Sequence, residues 1–267
     1  MTETETISGI ADDTRPNMER IYDYFLGGNH NFEIDRLAAA KILEYVPLMP
    51  KICRLIRWFL GEAARTLTEK GVTQFIDFAS GLPVQDHIHS IVPPGTKVLY
   101  SDNDPVTVAY AVELLGNTPN VLYMTCDVLD PLQILETAAA VSFLDRSKKT
   151  AFGLNGITYF MKDEQLRYTL SVLYDWAKEG DMLYLCDTSI HDYDSKDDAT
   201  DIYAKMGNPL YWHNEENMSR LAGKWRPIPP GFQTLETWLR IEGTPISVTE
   251  EEKATYNGNF YGVIFEK

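Results

Sequence analysis

At 267 residues with a hydrophobic share of 44%, the chain can build one large α/β domain or a domain with an appendage. A formal net charge of -15 argues against a nucleic-acid backbone or an anionic membrane as principal partner, because the mean field repels both. The three cysteines, Cys53, Cys126 and Cys186, are far apart in apolar patterns and read as buried thiols, not as a disulfide framework or zinc site.

Residues 1–13 are acidic and Thr-rich and are expected to be a disordered tail. They carry no signal-peptide core, and no apolar run reaches the roughly 18 residues of a membrane span, so a cytoplasmic protein is expected. Helical signals then fill 14–71, an N-terminal helical cap. Met18, Ile21, Tyr22 and Phe25 recur at helical spacing until Gly27-Gly28 stop the run. A second helix is predicted over 35–45 and a third over about 50–70. The third has Ile52, Leu55, Ile56, Phe59, Ala63 and Leu67 on one face and Gly71 at its close.

From Val72 the pattern becomes strand–helix alternation. Strands are predicted at 73–78, 97–101, 121–125, 150–154 and 181–186, with helices at 83–91, 105–115, 131–144 and 162–178. Near-continuous apolar strands joined by helices imply a parallel sheet buried on both faces. A polar, aromatic-bearing stretch over about 188–230 reads as a lid-like insertion in the α/β domain of 72–267. Two more strands are predicted, at 234–241 and 260–265. The turn residues Asn257-Gly258-Asn259 suit a hairpin-like return and an antiparallel terminal strand.

The chemistry concentrates at strand ends. The first strand ends at Asp77 and turns through Ala79-Ser80-Gly81, where small residues let backbone approach a ligand. Asp102, followed by Asn103, ends the second and can accept hydrogen bonds from both hydroxyls of a ribose. Asp127, with Val128 beside it, ends the third and can accept from an adenine amine. Each aspartate can equally be a helix N-cap, a role that suits Asp104 before Pro105 better than Asp102. A nicotinamide-dependent enzyme would share the Asp102 logic.

These features resemble the class I S-adenosylmethionine-dependent methyltransferases. The run Arg20 to Arg36, with Tyr22-Asp23-Tyr24-Phe25-Leu26-Gly27-Gly28, Asn31-Phe32 and Asp35-Arg36, resembles more narrowly an actinobacterial-type S-adenosyl methyltransferase family once catalogued by number alone. Gly81-Leu82-Pro83 and Asp102-Asn103-Asp104-Pro105 fit the same family. Ala79-Ser80 departs from its usual Gly-Thr, and Asn29-His30 from Lys-Asp. The resemblance implies a Rossmann-like fold with a seven-stranded, mostly parallel sheet, an antiparallel terminal strand and S-adenosylmethionine as cofactor. It implies cofactor contacts from Tyr22, Gly27, Gly28, Asp77, Ala79, Ser80, Gly81, Asp102, Asn103, Asp127, Val128 and Asn155. Arg20 or Arg36 would pair with the methionine carboxylate. The alternatives are a helix C-cap for the two glycines and surface ion pairs for the arginines.

Methyl transfer needs alignment and water exclusion more than a dedicated catalytic motif. His30, Tyr159 and His191 are the catalytic candidates, the histidines as general bases and Tyr159 for orienting an acceptor or simply packing. Tyr193, Tyr211 and Trp212 are placed for a substrate pocket or a satellite core. The run Asp192, Asp194, Asp197, Asp198 and Asp201 has no metal-site spacing and reads as a solvated face. The expected activity is methylation of a small-molecule acceptor in bacterial specialised metabolism. A cofactor-retaining rearrangement or cyclisation enzyme and a non-catalytic cofactor-binding module are the rivals.

Overall fold

The computed structural model describes residues 14–84, 86–190, 198–205, 207–256 and 258–267. Asn17 caps α1 (Met18–Leu26) by accepting the Arg20 N–H at 3.0 Å. Gly27 ends the helix at φ 83°, a left-handed conformation that glycine adopts without a Cβ clash. α2 (Glu33–Tyr45) folds back on α1 and is held there by a buried ion pair, Arg20 Nε to Asp35 Oδ2 at 2.7 Å. α3 (Met49–Glu69) starts with Pro50 in its first turn, where the missing N–H is not needed.

The sheet has β1 (Gln74–Asp77), β2 (Lys97–Asp102), β3 (Val121–Thr125), β4 (Thr150–Asn155) and β5 (Met182–Ile190) in parallel, ordered β3-β2-β1-β4-β5. The final strand β8 (Gly258–Glu266) pairs antiparallel with β5 over its whole length. Beyond it lie two two-residue strands, β6 (Arg226–Pro227) and β7 (Gln233–Thr234), both against β8. The fold is thus the Rossmann-like methyltransferase arrangement with one antiparallel long strand.

Both faces of the sheet are buried, as the continuous apolar strands imply. Alternate residues divide between them. Phe75, Val98 and Tyr184 meet Leu55, Ile56, Phe59 and Ala63 of α3 on one side. Ile76, Leu99 and Leu183 meet Leu166, Leu170 and Leu173 of α8 (Asp163–Trp176) on the other. All three cysteines are buried and unpaired.

Three elements differ from expectation. The predicted strand at 234–241 is a strand only at its first residue. Leu235, Trp238 and Leu239 have helical spacing, and the Thr234 hydroxyl accepts the Thr237 N–H at 3.2 Å, so 235–239 forms a capped helix instead. Of the helix expected over 83–91, α4 (Ile88–Ile91) is helical, and the buried His87 ring stands at its N-cap. Its Nδ1 accepts the Ile88 N–H at 3.1 Å and its Nε2 meets the Ser80 carbonyl at 3.2 Å. The helix expected over 131–144 is two pieces, α6 (Leu132–Leu135) and α7 (Ala138–Phe143), the second restarted by Thr137 as N-cap. α5 (Pro105–Leu115) fills its predicted range. Among the described residues no helix is long and apolar enough to cross a membrane.

Candidate active site

The carboxyl ends of β1–β5 open into a cavity of about 850 Å³, roofed by α1 and walled by α3. Its floor follows the order of the strands. Asp127, two residues past β3, accepts the Leu129 N–H at 2.9 Å. Asp102, at the end of β2, accepts the Gly81 N–H through Oδ2 and the Asp104 N–H through Oδ1, each at 3.1 Å. It is therefore oriented by backbone and keeps lone pairs toward the cavity. Asp104 takes the capping role, accepting from the Val106 and Thr107 amides.

Asp77 ends β1 and is 3% exposed. The Tyr184 hydroxyl donates to its Oδ1 at 2.6 Å, passing over Gly153 of β4. A Cβ on Gly153 would lie 2.2 Å from that hydroxyl oxygen, so glycine is what lets β5 reach β1 here. Burial lifts the Asp77 carboxyl to about 6, against the lowering effect of the Tyr184 bond. The turn that follows places Ala79 at φ 51° and Gly81 at φ 62°. Ala79, Ser80 and Gly81 all line the cavity, yet the Ser80 amide is already spent on the Ser101 carbonyl at 2.8 Å.

The roof supplies groups that sequence reasoning missed. Glu19 of α1 lies over Gly81, and burial together with the Asp102 charge lifts its carboxyl to about 7. Arg57 is buried within the apolar face of α3, with its guanidinium 5.4 Å from the Tyr22 ring centroid. Its Nη1 has no hydrogen-bond partner, and neither has Oδ1 of Asn155 at the tip of β4. Asn155 is fixed by its Nδ2, which donates to the Ile56 carbonyl at 3.3 Å. A buried guanidinium N–H and a buried amide oxygen left open on one cavity are complementary to a zwitterionic amino-acid tail. Burial and the Arg57 charge push His87 well below its usual range, so the ring is neutral and structural. A charged residue on an otherwise apolar helix face was the available signal for Arg57. His87 gave none.

The structure thus gathers Tyr22, Asp77, Ala79, Ser80, Gly81, Asp102, Asn103, Asp127, Val128, Asn155, Tyr159 and Trp212 on one cavity. It sets others apart. Gly27 and Gly28 cap α1, and a Cβ on Gly28 would strike the Asp23 carboxylate at 2.1 Å. His30 pairs with the Tyr110 hydroxyl beside a separate small cavity lined by Gly28 and Leu114. Tyr211 is outside the lining and donates its N–H to the Tyr159 carbonyl at 2.7 Å. Arg20 is engaged by Asp35, and Arg36 is exposed and donates to Asn31. His191 and Tyr193 lie outside the described residues, as does most of the acidic run.

Comparison with known proteins agrees with this geometry. The S-adenosyl methyltransferase family matches residues 4–263. No curated protein matches the chain. A provisionally assigned methyltransferase from Thermobifida fusca is 25% identical, with a TM-score of 0.83 over 97% of both chains. A DUF574 family protein from Streptomyces avermitilis is 24% identical, with a TM-score of 0.81 over 96% of this chain and 99% of that one. Magnesium protoporphyrin IX methyltransferase from Synechocystis, solved with S-adenosylhomocysteine, shares the fold at 12% identity and a TM-score of 0.52, covering 92% of this chain and 93% of that one. The strand-tip carboxylates and the two open polar atoms suit S-adenosylmethionine, and the chain belongs to the S-adenosyl methyltransferase family.

Proposed function

We propose that this protein methylates a small molecule held beside the cofactor, under the roof of α1. The observation that carries the reading is the line of groups along one cavity. Asp127, Asp102 and Asp77 follow one another along the strand order, and Arg57 Nη1 and Asn155 Oδ1 are left unpaired at the far end. In this reading Asp127 accepts from the adenine amine and Asp102 from the ribose hydroxyls. The Arg57 guanidinium takes the methionine carboxylate, and Asn155 Oδ1 with ionised Asp77 receives the ammonium. Bound there, S-adenosylmethionine supplies an electrophilic methyl group on a sulfonium. The residues around it align the acceptor and exclude water.

Calorimetric titration with S-adenosylhomocysteine tests these roles. Arg57→Met removes a charge-assisted bond, so affinity should fall about 10- to 100-fold. The fold itself should hold, since that guanidinium has an unsatisfied N–H when no ligand is present. Unchanged affinity in the variant would remove Arg57 from the site. Binding of NAD in place of S-adenosylhomocysteine would sink the whole reading.

A further inference from the structure

We infer that the methyl acceptor is an apolar, ring-bearing carboxylic acid, methylated on its ionised oxygen. This rests on the methyl-transfer reading above and adds the chemistry of the second ligand. The cavity, at about 850 Å³, is near the upper end of the roughly 300–1,000 Å³ of single-ligand clefts, so it holds more than the cofactor. Adenine, ribose and amino-acid tail use the floor over β3, β2 and β1 as far as Asn155. What remains lies over β4, β5 and β8.

That remaining half is apolar and aromatic. Ile52 and Cys53 of α3 wall one side, and Phe160, Tyr203, Leu210 and Trp212 the other. The cavity's carboxylates, Glu19, Asp23, Asp77, Asp102, Asp104 and Asp127, are carried by α1 and by the β1–β3 tips, and none by the Phe160, Tyr203, Leu210 and Trp212 wall. Among the described residues its charged side chains are Arg57, given above to the methionine carboxylate, and Lys205, exposed at the end of α9 (Asp198–Lys205). Flat apolar walls with a cation at the rim select a flat apolar body with one anionic group.

Among the described residues the same half offers no base. Burial pushes the Tyr22 and Tyr159 hydroxyls above their ordinary value and the Cys53 thiol up to about 12, so all three keep their protons at neutral pH. The Tyr22 hydroxyl is committed besides, donating to the Cys53 carbonyl at 3.0 Å. An acceptor that must lose a proton would find no group among them to take it. A carboxylate needs none. Its oxygen forms the new O–C bond as the methyl carbon's bond to sulfur breaks; the electron pair of that bond stays on sulfur, and no proton moves. An anion and a cation become two neutral groups, a change that apolar walls favour over water.

The test uses the full chain, S-adenosylhomocysteine, 2-naphthoate and the matching alcohol, 2-naphthylmethanol. Calorimetry on the protein saturated with S-adenosylhomocysteine should show the acid binding several-fold more tightly than the alcohol. Lys205→Gln should close most of that gap while leaving the alcohol's affinity as it was. With S-adenosylmethionine, methyl 2-naphthoate should form at a rate flat between about pH 8 and about pH 9, above the titration of Asp77 and Glu19, because the acid is ionised throughout. Equal or tighter binding of the alcohol, or an acid affinity unmoved by Lys205→Gln, overturns the carboxylate assignment. So does methylation of naphthol or naphthylamine in preference to the acid, although that result leaves methyl transfer intact. Failure of S-adenosylhomocysteine itself to bind overturns the reading underneath.

Discussion

Replacing Asp77 with asparagine should make the ligand-free protein more stable at neutral pH, although Asp77 stands at the centre of the site. Its carboxyl is 3% exposed, and burial raises it from the usual 3.8 to about 6. Between those values the folded protein holds a proton that the unfolded chain has released. The contribution is therefore fully present below about pH 4, declines as pH rises through the window, and is flat above about pH 6. A shift of about two units at about 1.4 kcal/mol each amounts to about 3 kcal/mol of stability lost on ionisation. Asparagine does not ionise, has nearly the same shape and still offers an oxygen to the Tyr184 hydroxyl. Urea unfolding without cofactor should show Asp77→Asn ahead by about 2–3 kcal/mol at pH 8 and level with the parent near pH 4. A variant equal to the parent at pH 8, or weaker at both values, would refute the reasoning. The same variant should bind S-adenosylhomocysteine less tightly, because the charge that strains the empty site attracts the ligand's ammonium.

Two backbone positions beside Asp77 make further predictions. Ala79 adopts φ 51°, where a Cβ costs about 1 kcal/mol, so Ala79→Gly should raise the melting temperature by about 2–4 °C in scanning calorimetry. A fall in Tm would show that the methyl group has packing value greater than its backbone strain. Gly153→Ala places a Cβ 2.2 Å from the Tyr184 hydroxyl oxygen and 2.3 Å from Asp77 Oδ1, which should cost about 2–4 kcal/mol in denaturant unfolding. Parent-like stability there would mean the crossing is looser than the geometry indicates.

Most of the fold was legible because its signals are local and repeated. Apolar strands of the right length, separated by helical segments, led to five parallel strands that the structure contains in the expected places. The misread pieces are short segments decided by tertiary contact. Asp86 and His87 fall inside the predicted helix, but the buried His87 ring binds the Ser80 carbonyl and the helix starts only at Ile88. In 235–239, aromatic and β-branched residues suggest a strand, yet Leu235 and Trp238 pack against α3 at helical spacing. The return strand β8 was identified by sequence, but of its expected partner at 234–241 only Thr234 pairs with it, and its long antiparallel neighbour is β5.

The site divides along a different line. Asp77, Asp102 and Asp127 are legible because a strand end is a fixed place in the fold, and three successive carboxylates there are more than helix capping alone requires. The N-terminal motif gives no such clue to direction. Within it, Tyr22 and Asp23 line the cavity, whereas Arg20, Asn31 and Asp35 tie α1 to α2. Both groups look alike in a sequence, since a residue that positions the roof is as constrained as one that touches the ligand. The arginine sought for the methionine carboxylate was therefore taken from the motif, where Arg20 is saturated by Asp35, and not from α3. In the proposed reading Arg57 takes that role on energetic grounds. A guanidinium buried among Ile52, Ile56, Phe59 and Leu60 with an unpaired N–H is costly to an empty site. A helix otherwise so apolar on that face keeps such a group where a ligand completes it.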